Sequence, residues 1–94
     1  MGETMADDPF DMRRRRLRFR AWHRGTKEAD LMIGSFCDRH AAAWGEAEIA
    51  WFERLLEEQD VDIMAWGLGT TDAPAVYHGP LLDAFRRLDF MANK

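Results

Sequence analysis

With 94 residues, 47% of them hydrophobic and 32% charged, the chain has room for one folded domain and is too apolar to remain disordered. A domain this small buries a limited core and has little space for a deep catalytic cleft, so binding to a larger partner is the expected mode of action. The net charge of −4 is unevenly placed: residues 1–11 carry −4, residues 12–24 carry +7 and residues 25–94 carry −7, a basic segment on an acidic body that would repel a polyanion.

Residues 1–8 are expected to form a flexible acidic N-terminal tail, and residues 9–92 a single helical domain. The single cysteine, Cys37, allows no disulfide within the chain, so a cytoplasmic protein is expected, and the opening MGETMADDPFDM does not read as a secretory signal. Pro9 suits the first turn of a helix, where its missing N–H costs nothing. That helix should run to about His23 and stop at Gly25. Its apolar positions, Phe10, Leu17, Phe19, Ala21 and Trp22, make a ragged stripe. Such a stripe predicts a partly buried helix with arginine stems covering apolar surface.

Thr26 is a suitable cap for a second helix, with Glu28 and Asp30 in its first turn, where the helix dipole favours acids. Ala29, Ile33, Phe36, Cys37 and His40 share one face, and Gly34 is placed to admit a neighbouring helix. Gly45 opens a third helix over residues 46–58, with Ile49, Phe52, Leu55 and Leu56 inward. Its charged residues Glu48, Glu53, Arg54, Glu57 and Glu58 are expected to face water. Asp60 has the character of a cap for a short fourth helix through Trp66. GLGTTDAP then forms a loop. A last helix begins at Pro80 with Leu81, Ala84, Phe85 and Leu88 on one face. No segment alternates with period two over strand length, so the predicted fold is all-α: a small five-helix antiparallel bundle. Ile49, Phe52, Leu56, Ile63, Trp66, Phe85 and Leu88 are its expected core.

The chemistry-bearing residues are sparse. His23, His40 and His78 lie far apart, without metal-ligand spacing. The single cysteine, Cys37, falls on an apolar helix face and reads as a core residue, not a nucleophile. No nucleophile elbow, phosphate loop or dinucleotide fingerprint is present. Neither a metal site nor a catalytic centre is therefore expected. The arginine run admits three readings: solvated cations, phosphate contacts with Phe19 and Trp22 stacking on bases, or a docking face for an acidic protein. The acidic body ranks the protein partner above nucleic acid.

Two stretches carry a resemblance. The first contains R-G-x-x-E-x-D, met by Arg24, Gly25, Glu28 and Asp30. The second is F-x-R-L-L-E…D-x-D-I-x-x-W, met by Phe52, Arg54, Leu55, Leu56, Glu57, Asp60, Asp62, Ile63 and Trp66. In this order and in a chain of this length, they resemble the SdhE (YgfY) flavinylation factors, called succinate dehydrogenase assembly factor 2 in mitochondria. His23, Thr26 and Ala29 depart from residues frequent in that family, and the arginine run lies outside the match.

The resemblance implies a five-helix assembly factor without a catalytic centre of its own. It would bind the flavoprotein subunit of succinate dehydrogenase, with fumarate reductase a further client, and promote covalent attachment of FAD there. FAD would belong to the client and not to this chain. The free protein would be a monomer that neither inserts in a membrane nor binds nucleic acid. Arg24, Gly25, Glu28 and Asp30, with Arg20, Trp22 and His23 beside them, would make the contact.

Overall fold

The computed structural model describes residues 8–91, so the tail expected over residues 1–8 lies, apart from Asp8, outside the described residues. Five α-helices account for most of the chain: α1 Asp11–Trp22, α2 Lys27–His40, α3 Glu46–Leu55, α4 Asp60–Leu68 and α5 Pro80–Arg87. Short 3₁₀ turns follow at Ala41–Ala43, Ala75–Tyr77 and Asp89–Met91, and the described residues contain no strand.

The contacts give the direction of the first three helices. Going back along α1 from Trp22 through Arg18 to Arg14, the partners advance along α2 from Gly34 through Asp38 to Ala41. These two helices therefore run antiparallel. Against α3 the order is the reverse: Arg13 meets Glu46 and Glu53, and Arg20 meets Glu57. α1 and α3 run the same way, α1 touching both neighbours, and α2 runs opposite to them.

Gly34 permits the closest of these approaches. A Cβ at this position would lie 2.3 Å from the Trp22 ring, so only a hydrogen fits where the indole packs. The core centres on Phe36, whose ring lies 5.0 Å from Phe85, 5.3 Å from Phe90 and 5.9 Å from Phe52. Ile33, Ile49, Leu55, Leu56, Ile63, Trp66 and Tyr77 complete it.

Several expectations change in detail. Phe19 points to solvent, because the ragged stripe of α1 buries only Leu17 and Ala21. Leu88 is half-buried and takes a left-handed conformation that ends α5, while Leu82 is buried in place of Leu81. α3 ends at Leu55 and continues as a turn. Asp60 is the first helical residue of α4, not its cap, which is Gln59. The acids of α3 are not simply solvated: Glu53 and Glu57 hold arginines of α1, and Glu58 accepts a 2.6 Å hydrogen bond from the Tyr77 hydroxyl.

Candidate functional site

Between α1 and α2 the chain turns within four residues, His23 to Thr26. Gly25 makes the turn possible with φ +128°, a region closed to most side-chain-bearing residues. Thr26 then starts α2 as its sequence predicts, its hydroxyl oxygen accepting from the Ala29 N–H at 3.2 Å. Asp30, one turn on, reaches back and accepts the Arg24 backbone N–H at 2.6 Å. The corner is thus fastened from both sides, and Gly25 is left at its exposed apex. A Cβ there would meet nothing closer than Asp60 Oδ2 at 3.9 Å.

Arg24 turns inward. Its side chain is only 11% exposed, and its Nε donates to Asp60 Oδ1 at 2.7 Å. The two terminal nitrogens donate to the carbonyls of Leu56 and Glu58 at 3.1 and 3.2 Å. These are carbonyls at the end of α3, which lack helical partners. The guanidinium fork satisfies them and the first acid of α4 together, as a lysine could not. The two sequence marks, 36 residues apart, therefore meet in one contact.

The remaining expected contact residues divide by orientation. Gly25, Glu28 and His23 are exposed. The His23 Nδ1–H donates to the Phe19 carbonyl at 2.6 Å and its ring stacks on Phe19 at 4.0 Å. Arg20 reaches Glu57 at 2.6 Å, and Trp22 is half-buried against Gly34. The outward face of the corner is then an apex without a side chain, flanked by an imidazole and a carboxylate. Arg24 and Asp30 shape it from beneath. Sequence reasoning missed Asp60 as the partner of Arg24; the only signal was its place in the second mark.

Redox or nucleophilic chemistry finds little support. Cys37 is buried, and burial pushes its thiol up to about 12, so it stays protonated near neutral pH. Among the described residues no three of His, Cys, Asp and Glu come together as a metal site. No helix among them is long and apolar enough to cross a membrane.

Comparison with known proteins agrees with the two marks. A family model described as "Flavinator of succinate dehydrogenase" (Sdh5) matches residues 15–89. The FAD assembly factor SdhE of Acetobacter pasteurianus is 38% identical over 78 residues, covering 83% of this chain and 72% of the relative. The mitochondrial succinate dehydrogenase assembly factor 2 of Danio rerio is 28% identical over 94 residues, covering 98% of this chain and 58% of the relative. That of Scheffersomyces stipitis is 35% identical over 71 residues, 76% of this chain and 44% of the relative. The chain thus spans about half the length of these mitochondrial relatives.

Proposed function

The chain belongs to the Sdh5 family, the flavinators of succinate dehydrogenase, and from that premise we propose that it binds the flavoprotein subunit of succinate dehydrogenase and promotes covalent attachment of FAD to it. It acts as an assembly factor that holds the client in a competent conformation, without a catalytic group of its own. FAD stays with the client. A related fumarate reductase flavoprotein is a second candidate client, and the cytoplasm is the proposed place of action.

One observation carries the reading. The Gly25 apex stands exposed and free of neighbours, held by the inward fork of Arg24 and the carboxylate of Asp30. An apex without a side chain lets a partner's backbone come close, and a turn fixed from beneath loses little freedom on docking. His23 and Glu28 flank it with one hydrogen-bonding ring and one anion.

Nucleic-acid binding has less behind it. Arg13, Arg14, Arg20 and Arg24 are engaged by groups of the protein itself, which reduces the cations offered to phosphates.

The test is flavin fluorescence of the client subunit in a denaturing gel, from cells lacking this protein and from cells supplied with it. Covalent flavin should be lost in the first and restored in the second. Equal fluorescence in both would overturn the proposal.

A further inference from the structure

Of the seven arginines between positions 13 and 24, Arg16 is exposed and the other six fall into two groups. Arg13 grips Glu46 and Glu53 at 2.6 and 2.8 Å, and Arg14 the carbonyls of Ala41 and Trp44 at 2.9 and 2.8 Å. Arg20 and Arg24 are held at 2.6 and 2.7 Å. These four staple α1 to the body. Arg15 and Arg18 differ: their side chains are 73% and 71% exposed, and they reach only Asp11 and Asp38, at 3.2 and 3.4 Å. Exposed pairs of this kind contribute little and exchange readily for another carboxylate.

The loosely held pair lies where two shallow hollows meet, and together these form a groove. On one side Arg15 and Arg18 line a hollow of about 480 Å³ with their own carboxylate partners Asp11 and Asp38 and with Ala41 and Ala42 of the turn after α2. On the other they line a hollow of about 460 Å³ with Phe19, Trp22 and His23. Phe19 is 64% exposed, and Met12, two turns earlier on the same side of α1, is 60% exposed. A single exposed apolar side chain needs no explanation, but this one lines the same shallow hollow as two loosely paired guanidiniums.

We propose that this groove docks an acidic segment of the client flavoprotein, with carboxylates on Arg15 and Arg18 and an apolar side chain over Phe19; the inference rests on the client reading above. Three features favour this occupant. Guanidiniums pair with carboxylates through two parallel hydrogen bonds, so the charge and the geometry both suit an acidic chain. Two shallow hollows flank the arginines, relief that suits an irregular protein segment better than the flat face of a bilayer. Trp22 and His23, at one end of the groove, adjoin the Gly25 corner, so one partner can cover both. The arginine run then has two uses: its inward members fix α1, and its outward members recruit and orient the client.

The experiment measures association and dissociation of the full-length protein with the purified flavoprotein subunit at low and physiological salt. The variants are Arg15→Ala/Arg18→Ala, Phe19→Ala and, as a distant exposed control, Arg87→Ala. All should melt like the wild type. The double variant should associate about tenfold more slowly at low salt and show a flatter salt dependence, because complementary charge acts mainly on encounter. Phe19→Ala should dissociate several-fold faster, and Arg87→Ala should match the wild type. A double variant that associates at the wild-type rate, or no more slowly than Arg87→Ala, overturns the groove. So does arginine-dependent binding to phosphatidylglycerol vesicles or single-stranded DNA with client binding unchanged. If Gly25→Arg loses the client while the double variant keeps it, the groove proposal falls and the client reading stands. If the wild type does not bind the flavoprotein at all, both fall.

Discussion

Arg24 and Asp60 meet at 2.7 Å across the junction of three helices, joining the end of α1 to the start of α4. The same guanidinium takes the carbonyls of Leu56 and Glu58 at the end of α3. The arginine of the R-G-x-x-E mark therefore builds the corner from within, beneath the exposed Gly25 and Glu28.

Arg24→Ala should accordingly destabilise the fold. Removing one member of a fully buried pair costs about 3–5 kcal/mol. Here the side chains are 11% and 26% exposed, which brings the expected loss to about 2–3 kcal/mol. Urea denaturation measures it. Arg24→Lys should recover only part, since an ammonium cannot reach the acid and both carbonyls at once. A loss below about 0.5 kcal/mol, the range of ordinary surface changes, would show that the contact is incidental.

Much of this was legible in the sequence, and the limits have physical causes. The three-four spacing of Ile49, Phe52 and Leu56, or of Ala29, Ile33 and Phe36, is local information, and the structure buries all six. The turn at Gly25 and Thr26 is local too. Which α1 arginine meets which α3 acid depends on how two helices are rotated and offset, and no single segment encodes that. Arg13–Glu53 and Arg24–Asp60 were unreadable for this reason. The exposure of Phe19 was hidden because long arginine stems blur the apolar stripe of α1. The left-handed Leu88, with φ 57°, runs against its own preference, so its residue type could not announce it.

Gly34→Ala should be destabilising although alanine is the better helix former. The gain in helix propensity is about 1 kcal/mol. Against it, the new methyl would sit 2.3 Å from Trp22 Cδ2, with further ring atoms at 2.4 and 2.8 Å. Overpacking of this kind costs about 1–3 kcal/mol and forces the ring to move. A lowered melting temperature and a red shift of tryptophan emission are expected. A more stable variant would show that the indole moves aside freely.

Stability should fall on mild acidification, through His40. Burial holds its imidazole below the usual value of 6.5; Arg39 pushes the same way more weakly, Asp89 opposes and Arg87 reinforces. Its Nε2 has no hydrogen-bond partner among the described residues. With the folded pKa depressed, the unfolded chain takes up the proton first as pH drops below 6.5, so stability declines from there to the folded value and then levels. Glu53 adds a separate loss at lower pH: its hydrogen bond from Arg13 depresses its pKa, and that stability disappears as pH falls below 4.5. Thermal melts across pH test this. His40→Phe should abolish the upper fall and leave the lower one; an unchanged upper fall would remove His40 from the account.

Gly25 separates strain from obstruction. At φ +128° any side chain strains the backbone, by about 1–3 kcal/mol, yet no atom blocks the space above it. Gly25→Ala and Gly25→Arg share that strain, and thermal melts should show both folded and similarly weakened. They differ in what they place at the apex. A methyl group projects little beyond the turn, whereas an arginine fills the space a docking backbone would occupy, and a packed interface has no slack to absorb it. Client flavinylation, read by in-gel fluorescence, should survive in Gly25→Ala and be lost in Gly25→Arg. Equal loss in both would assign the effect to the turn's conformation. Full flavinylation by a folded Gly25→Arg protein would show that the partner never approaches this apex, because an arginine there cannot be hidden inside the fold.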